Sequence, residues 1–269
     1  MPRNDVVFKL IFGQHKDLLQ IFLEQVLDLD HEEYLGIKLV DTNQRTDPDT
    51  KLTILDLKIE TGTGKLIDVE MQPLLMSSLV QRILYYLSQM LVEQLKPGQK
   101  YSELKRVIYI LILNEEMFPK DSLLHHCFCF ADKQTHSQWT DLMEVNVLEL
   151  PKAKRKETID SPLDAWMKFL VADGKEDCMQ AAEHNENVRA ACMVLKDLSA
   201  DEQTRLEAER REKAWRDEMD RLDGAKDAGI GIGIDIGTKN VARNLLRMNL
   251  PLDQICQATG LTPEELSAL

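Results

Sequence analysis

The amino-terminal part of the chain alternates between helix-like and strand-like patterns. Apolar residues recur every three or four positions over residues 5–27, after a candidate N-cap at Asn4 or Asp5, and Gly13 interrupts the repeat. This pattern predicts two short helices. Six shorter apolar runs, each flanked by polar residues, Gly or Pro, are predicted as strands: residues 37–42, 53–61, 65–72, 106–114, 127–131 and 144–150.

A further helix is predicted between the third and fourth of these strands. It covers residues 74–94 and ends at Lys96-Pro-Gly98. The mixture of helices and strands indicates an α/β or α+β domain that ends near Pro151. Farther along, residues 162–223 are helical in character, and the alternating charges of residues 201–223 are typical of an exposed helix.

A glycine repeat follows this helical region. Gly229, Gly233 and Gly237 are four residues apart, so on a helix they form a smooth stripe that permits close approach of another helix. A Gly-x-Gly-x-x-Gly phosphate loop is the alternative, but Ile234 occupies its last glycine position after Gly229 and Gly231. We favour helix packing, and we expect a homo-oligomer formed through the C-terminal helices.

The last segment, residues 241–269, is predicted as three short helices, with Thr262 as an N-cap before Pro263. Its outline is similar to a helix-turn-helix. Residues 262–269 nevertheless contain two Glu and no Lys or Arg. We therefore expect this segment to contact protein rather than to read bases.

The charge of the chain restricts its partners. It has 33 Lys and Arg against 46 Asp and Glu, a formal net charge of −13. This balance argues against a general polyanion binder but permits a nucleic-acid enzyme with a locally basic groove. Basic residues cluster at 96–106 and 152–156, where solvated surface is the more common use of such runs.

No run of eighteen apolar residues predicts a membrane span, and the first residues lack the apolar segment of a secretory signal.

The five cysteines are scattered and form no Cys-x-x-Cys pair. This usage predicts reduced thiols in a cytoplasmic protein. Cys127 and Cys129 follow two histidines, which suggests a metal site. A strand with alternating faces is the favoured interpretation, because no second cluster of ligands follows at a spacing suited to zinc.

The most informative stretch is the predicted hairpin over residues 53–72. The loop Gly62-Thr63-Gly64 suits a three-residue turn with Gly64 in the left-handed region. The resulting register pairs Lys58 with Asp68, Asp56 with Glu70 and Ile54 with Gln72. It also places the polar residues on one face and the apolar residues on the other, so the hydrophobic pattern supports it.

Asp56 and Glu70 are then direct neighbours across the hairpin, with Cβ atoms about 4.5–5.5 Å apart. Two carboxylates at this separation repel each other unless a cation lies between them. Mg²⁺ and Mn²⁺ prefer such oxygen ligands. The alternative is an ordinary solvated strand face on which water screens the pair.

Several motifs together resemble a known family. Asp56 followed by Glu70-Met71-Gln72 is similar to the ExQ variant of the PD-(D/E)XK nuclease core. The surrounding blocks occur in the order of the Rpn-type recombination-promoting nucleases of bacteria, a family related to transposases: residues 5–13 (DVVFKLIFG), 68–72 (DVEMQ), 81–86 (QRILYY), 94–105 (QLKPGQKYSELK), 148–152 (LELPK), 242–246 (ARNLL) and 259–266 (TGLTPEEL).

The resemblance implies a fold and a domain arrangement. The fold class is α/β, with a central mixed sheet flanked by helices and an all-helical C-terminal region. The implied regions are a catalytic domain over 1–160, a helical extension over 161–223, and a Gly-striped helix with a helix-turn-helix-like module over 224–269.

The resemblance also implies an Mg²⁺-dependent DNA endonuclease acting in recombination, with Mn²⁺ as the other candidate ion. Asp56, Glu70 and Gln72 are the implied catalytic residues. Asp56, Glu70 and the Met71 carbonyl are the implied metal ligands. Gln72 stands where the wider superfamily carries Lys, and an amide supplies no positive charge. This departure leaves a catalytically weak or inactive nuclease-fold protein, acting as a protein- or DNA-interaction module, as the alternative.

Three further residues are candidates for contact with DNA. Arg82 and Tyr85 share one face of the helix 74–94 and could both touch phosphate; an exposed Arg beside a half-buried Tyr is the alternative. Lys9 lies opposite the apolar stripe of its helix, where a surface role is favoured. The acidic residue that the family has on its first helix corresponds to Asp5 or Glu24.

Overall fold

The computed structural model of the chain describes residues 1–29, 31–40, 57–72 and 75–269. These residues form helices and strands in the following order: α1 (Asp5–Gln14), α2 (Lys16–Val26), α3 (His31–Tyr34), β1 (Lys38–Val40), β2 (Leu57–Glu60), β3 (Leu66–Gln72), α4 (Leu79–Val92), β4 (Val107–Leu113), β5 (His125–Ala131), β6 (Gln138–Glu149), α5 (Leu150–Arg155), α6 (Pro162–Val171), α7 (Lys175–Glu183), α8 (Glu186–Ala200), α9 (Glu202–Arg247), α10 (Leu252–Thr259) and α11 (Pro263–Ser267).

The two predicted amino-terminal helices are confirmed. Asn4 caps α1, because its side-chain oxygen accepts hydrogen bonds from the backbone N–H groups of Val6 and Val7 at 3.1 and 3.4 Å. The break between the helices falls at His15, two residues beyond the glycine that predicted it. Gly13 lies within α1, where a Cβ would meet Leu57 at ordinary van der Waals distance.

The strands form one six-stranded sheet in the order β1-β2-β3-β4-β6-β5. β3 and β4 pair in parallel, as do β4 and β6, whereas the other pairs are antiparallel. The parallel pair β3–β4 requires a crossover, which α4 supplies. The predicted α/β class with a central mixed sheet is therefore confirmed.

Each face of the sheet is covered by helices. On one face the isoleucines of β4 at positions 108, 110 and 112 pack in a core with α1, α2 and α6, and the fully buried Trp166 lies there 5.7 Å from the rings of Phe12 and Phe22. On the other face the inner side of α4 packs against the alternate residues of β4. We call these the α1 face and the α4 face.

The β2–β3 hairpin has the predicted register. Leu57 pairs with Val69 and Lys58 with Asp68. Gly64 has φ +86°, which confirms its left-handed conformation. Gly62 has a different role, because a Cβ there would lie 2.6 Å from the Leu35 carbonyl oxygen. The predicted strand residues 41–42 and 53–56 lie outside the described residues.

Some element boundaries differ from the predictions. β6 begins at Gln138 rather than at residue 144, because its first half pairs with the edge strand β5 and is mostly solvent-exposed, so no apolar run marks it. α4 begins at Leu79 rather than at residue 74. The predicted tail of three short helices is instead the end of α9 followed by α10 and α11, with Thr262 capping α11 as predicted.

The prediction that all five cysteines are reduced thiols is wrong for two of them. Cys178 on α7 and Cys192 on α8 are linked by a disulfide bond. The two residues are fourteen positions apart, but the turn between α7 and α8 folds them together, a proximity that the spacing alone does not reveal. The cytoplasmic location was predicted from reduced thiols, and this pair of cysteines does not support that argument.

The chain divides into two compact units, Met1–Glu209 and Arg210–Leu269. The first contains the sheet and its flanking helices. The second contains most of α9 together with α10 and α11, around a small core of Ala242, Ile255 and Leu266. The predicted boundaries at residues 160 and 223 stay a prediction. Within the described residues, no helix combines the length and the apolar character needed to cross a bilayer.

Candidate functional site

The polar face of β3 is buried. Asp68, Glu70 and Gln72 point toward the α4 face, and only 2%, 1% and 5% of their surfaces are exposed. The alternative of a solvated strand face is therefore wrong for these three residues, since water reaches almost none of their surface. Burial of ionised carboxylates costs free energy unless they are paired, so their neighbours must compensate their charge.

Glu70 is held from two sides. The guanidinium of Arg82 on α4 forms a salt bridge with Oε1, and the hydroxyl of Tyr109 on β4 donates a hydrogen bond to Oε2. Tyr109 comes within reach because β3 and β4 run parallel and Asp68 is its direct partner in the ladder. Sheet and helix thus fix both oxygens of one buried carboxylate.

Arg82 is itself supported by the aromatic ring of Tyr86, a residue that the sequence analysis did not single out. Its guanidinium carbon lies 5.7 Å from the centre of the Tyr86 ring, a cation–π contact. Tyr85, predicted as a second contact to DNA, is 67% exposed and packs against the Tyr86 ring in a T-shaped arrangement. The spacing of four residues, rather than three, brings the tyrosine to Arg82. Tyr85 is left as an exposed aromatic side chain close to the site.

The predicted partner of Glu70 across the hairpin, Asp56, lies outside the described residues. The register next to it is the predicted one, because Leu57 and Lys58 pair with Val69 and Asp68. The pairing of Asp56 with Glu70 stays a prediction.

The donor atoms of this site suit a hard divalent cation. The Glu70 carboxylate and the Gln72 amide supply oxygen ligands on the same side of β3. Within the described ranges no three His, Cys, Asp or Glu side chains come together as a metal site. Glu70 Oε1 is, however, already engaged by a positive charge, so a cation at that oxygen requires Arg82 to move away.

The other predicted site residues are Lys9, Met71, and Asp5 or Glu24. Lys9 is half-buried on α1, which packs on the opposite face of the sheet, and it makes no hydrogen bond or ion pair with the described residues. The Met71 side chain packs in the α1-face core, whereas its backbone carbonyl, the predicted ligand, follows Glu70 directly on β3. Asp5 lies in the first turn of α1, and Glu24 on α2 contacts His31. Lys9 thus lies on the side of the sheet opposite to Glu70, and the roles of Met71, Asp5 and Glu24 stay predictions.

The second basic stretch is not simply solvated surface. Lys152 is 4% exposed, and its ammonium lies 2.6 Å from Glu149 Oε2 and 2.8 Å from Asp121 Oδ1. Burial alone would lower the pKa of Lys152, but hydrogen bonds from its amine to Asp121 and Glu149 raise it. Glu149 and Lys152, both in the motif block 148–152, therefore form a buried ion pair.

A second polar network lies on the α1 face. Glu144 on β6 forms a salt bridge with Arg106 and accepts a hydrogen bond from Asn146 at 2.8 Å. His125 on β5 extends the network to Asn146, also at 2.8 Å. Burial raises the pKa of Cys127 to about 11, and the neighbouring Glu144 adds to the shift, so this thiol is protonated at neutral pH. Glu144 matches Glu70 in its burial and its arginine partner, but lies on the other side of the sheet.

The hairpin that carries Glu70 is anchored by Glu33 on α3. Its carboxylate accepts hydrogen bonds from the hydroxyls of Thr61 and Thr63 in the loop and lies 2.7 Å from the ammonium of Lys65. Burial alone would raise the pKa of Glu33, but hydrogen bonds from Lys65, Thr63 and Thr61 together hold it below its ordinary value of 4.5. This anchor fixes the loop that sets the register of β2 and β3.

The lowered pKa of Glu33 predicts a pH-dependent contribution to stability. A group whose pKa falls on folding stabilises the protein above its unfolded pKa and loses that contribution as the pH drops through the folded pKa. At pH 7 we expect Glu33→Gln to lower the free energy of unfolding by about 1.5–3 kcal/mol. The difference from wild type should shrink below pH 4.5 in urea titrations. A difference independent of pH would contradict this role for the carboxylate.

The sequence matches a family described as PD-(D/E)XK nuclease family transposase, over residues 2–225. The chain belongs to this family. Membership confirms the resemblance and shows a nuclease- or transposase-like protein; five of the seven motif blocks lie within the matched range, and the blocks at 242–246 and 259–266 lie beyond it. The matched range contains the sheet, α4 and the polar face of β3. No curated protein and no solved structure matches the chain.

Three contributors to the site escaped the sequence reasoning. Tyr109 carries the one hydroxyl in the apolar run of residues 107–113, a signal that could have marked it. Tyr86 lies four residues after Arg82, a spacing that favours contact on a helix. Glu33 gave no such signal, because its partners are almost thirty residues away along the chain.

Proposed function

We propose that this nuclease-family protein is a metal-dependent DNA endonuclease that hydrolyses phosphodiester bonds during DNA recombination. The observation that carries the proposal is Glu70, a carboxylate held at 1% exposure on the hairpin strand of a nuclease fold. In the β2–β3 hairpin, Leu57 pairs with Val69 and Lys58 with Asp68. If this register continues by one more pair, Asp56 lies opposite Glu70.

In this proposal Asp56 and Glu70 hold Mg²⁺ or Mn²⁺, with the Met71 carbonyl as a further ligand. The bound ion would polarise the scissile phosphate and lower the pKa of a water molecule, which supplies the nucleophile. The Tyr109 hydroxyl, bonded to Oε2, fixes the Glu70 carboxylate in orientation. Gln72 contributes an amide that orients water by hydrogen bonding but carries no charge.

The positive charge that Gln72 lacks comes from Arg82 in our proposal. Within the described part of the chain its Nε and Nη1 atoms make no hydrogen bond, and its side chain is 17% exposed. These donors are suited to a phosphate oxygen. Exposed Tyr85 adds an aromatic contact to DNA beside it, and Lys9 stays a weaker candidate on the other face. We also propose a cytoplasmic location.

Removing divalent metal should abolish activity. We expect the purified protein to nick supercoiled plasmid in Mg²⁺ or Mn²⁺, and to leave it intact after dialysis against EDTA. Restoring the ion should restore the nicks. Gel analysis of the plasmid forms measures this directly, and nicking that persists in EDTA would contradict a metal-dependent reaction.

A second candidate function is a non-catalytic interaction module that keeps the nuclease fold. The neutral Gln72 and the net charge of −13 favour it. Isothermal titration with Mn²⁺ separates the candidates, because only the nuclease predicts binding that Glu70→Ala abolishes. Binding that is absent, or unchanged by this substitution, would favour the interaction module.

We also propose that the chain self-associates through α9. Four isoleucines between residues 230 and 236 are 52–64% exposed, and a Cβ added at Gly229, Gly233 or Gly237 would meet open space. Each glycine within a helix costs about 1 kcal/mol relative to alanine. Contact with a second copy would offset that cost.

Blocking the glycine stripe should dissociate this oligomer. We expect full-length Gly233→Leu to elute as a monomer in size-exclusion chromatography with light scattering, while wild type is dimeric. Gly231→Leu is the matched control, because position 231 lies about 200° around the helix from Gly229. A monomeric wild type, or equal effects of the two substitutions, would contradict the stripe as the contact.

A further inference from the structure

Arg82 occupies one of the two carboxylate oxygens of Glu70, the proposed metal ligand. The guanidinium nitrogen Nη2 contacts Oε1, while the Tyr109 hydroxyl takes Oε2. The carboxylate is 1% exposed, so water does little to screen charges around it. Both oxygens of Glu70 are therefore engaged in this state of the protein.

A divalent cation bound to Glu70 Oε1 would lie next to the Arg82 guanidinium, and the two positive charges would repel each other. With Arg82 in place, one positive charge balances the one negative charge of Glu70. An added Mg²⁺ would bring two more positive charges beside the guanidinium in a site that excludes solvent. Stable occupation of Oε1 by the ion thus requires the guanidinium to leave that oxygen.

The surroundings of Arg82 allow such a movement. The side chain is partly exposed, unlike Glu70, and its donors other than Nη2 make no hydrogen bond with described residues. The Tyr86 ring beside the guanidinium is 37% exposed, so an arginine can stay in contact with it while turning outward.

We infer that Arg82 is a displaceable counter-ion: it neutralises Glu70 while the metal is absent and competes with the divalent cation for Oε1. The inference rests on the proposed metal-dependent function. It explains how the carboxylate stays buried and charged without the ion. It also means that metal binding releases a cation at the edge of the site, where a DNA phosphate can receive it.

Metal affinity measures this competition without reference to cleavage. Mn²⁺ titration calorimetry at pH 8 compares wild type with Arg82→Gln. We expect at least tenfold tighter binding by Arg82→Gln, because the competing charge is gone. Arg106→Gln is the matched control: Arg106 is paired with Glu144 and 15% exposed at its side chain, but on the opposite face. We expect its Mn²⁺ affinity to stay within twofold of wild type.

A second measurement keeps the test decisive if Arg82→Gln does not fold. The side-chain Nε–H resonance of Arg82 in the wild-type protein, assigned with Arg82→Lys, should shift as Mg²⁺ saturates the site, while that of Arg106 stays in place. An unchanged Arg82 signal during saturable Mg²⁺ binding, or equal Mn²⁺ affinity in Arg82→Gln and wild type, would overturn the competition alone. Absence of Glu70-dependent binding in every variant would overturn the proposed function with it.

Discussion

Lys152→Met should lower the free energy of unfolding of the sheet-containing unit by about 3–5 kcal/mol. The substitution removes the ammonium but leaves the Glu149 carboxylate, which is 0% exposed, without its closest positive charge. A buried charge stranded in this way costs far more than the pair contributed.

The double variant Glu149→Gln/Lys152→Met should recover at least half of that loss. A glutamine oxygen at position 149 can still accept the backbone N–H groups of Met117 and Phe118, which lie 2.7 and 3.0 Å from the carboxylate. No charge then stays buried alone. A double variant as unstable as Lys152→Met would contradict the assignment of the cost to the stranded carboxylate.

Tryptophan fluorescence during urea unfolding measures the stability of the unit Met1–Glu209, which contains both Lys152 and Trp166. Trp139→Phe and Trp215→Phe remove two of the three tryptophans and leave the buried Trp166 as the reporter. Lys154→Met is the control, because Lys154 is 60% exposed in its pair with Asp173 and should change stability by less than about 1 kcal/mol. A loss below 1 kcal/mol for Lys152→Met would show that the pair does not stabilise the fold as described.

Glu70→Gln should reduce metal-dependent plasmid nicking more than about 100-fold. Loss of groups that merely orient metal ligands already costs 10–100-fold in many metal sites. Replacing a proposed ligand should cost at least as much. The amide keeps the size of the side chain and one oxygen, but it removes the negative charge that attracts the ion.

Glu144→Gln is the matched control for this loss. Glu144 is also buried and paired with an arginine, but its side chain points to the α1 face. Both substitutions should lower stability to a similar extent, and only Glu70→Gln should lose nicking. Equal losses of nicking in the two variants would show that the effect is one of folding.

Much of the scaffold follows from residue patterns. Alternation of polar and apolar residues, with Gly64 at the turn, predicted the hairpin register, because a shift by one residue would have moved the apolar side chains of both strands to the wrong face. Asn4 and Thr262 marked the starts of α1 and α11 through their capping side chains. These features depend on local chemistry, which a sequence displays directly.

The surroundings of Glu70 could not be predicted in the same way. The Arg82 salt bridge depends on α4 packing on the side of the sheet to which Glu70 points, and the Tyr109 contact depends on β4 being the parallel neighbour of β3. Hydrophobic periodicity specifies neither strand order nor the neighbour of a helix. The disulfide between Cys178 and Cys192 was missed for a similar reason, since it depends on how α7 folds back on α8.

In our proposal, Glu70 and Asp56 together bind the divalent ion of a DNA endonuclease. The most direct measurement is the anomalous scattering of Mn²⁺ in crystals of the metal-loaded protein. We predict a single strong peak bridging the carboxylates of Asp56 and Glu70, with the Arg82 guanidinium withdrawn from Oε1. Saturating Mn²⁺ with no peak at Glu70, and with Arg82 still bound to its carboxylate, would contradict the claim.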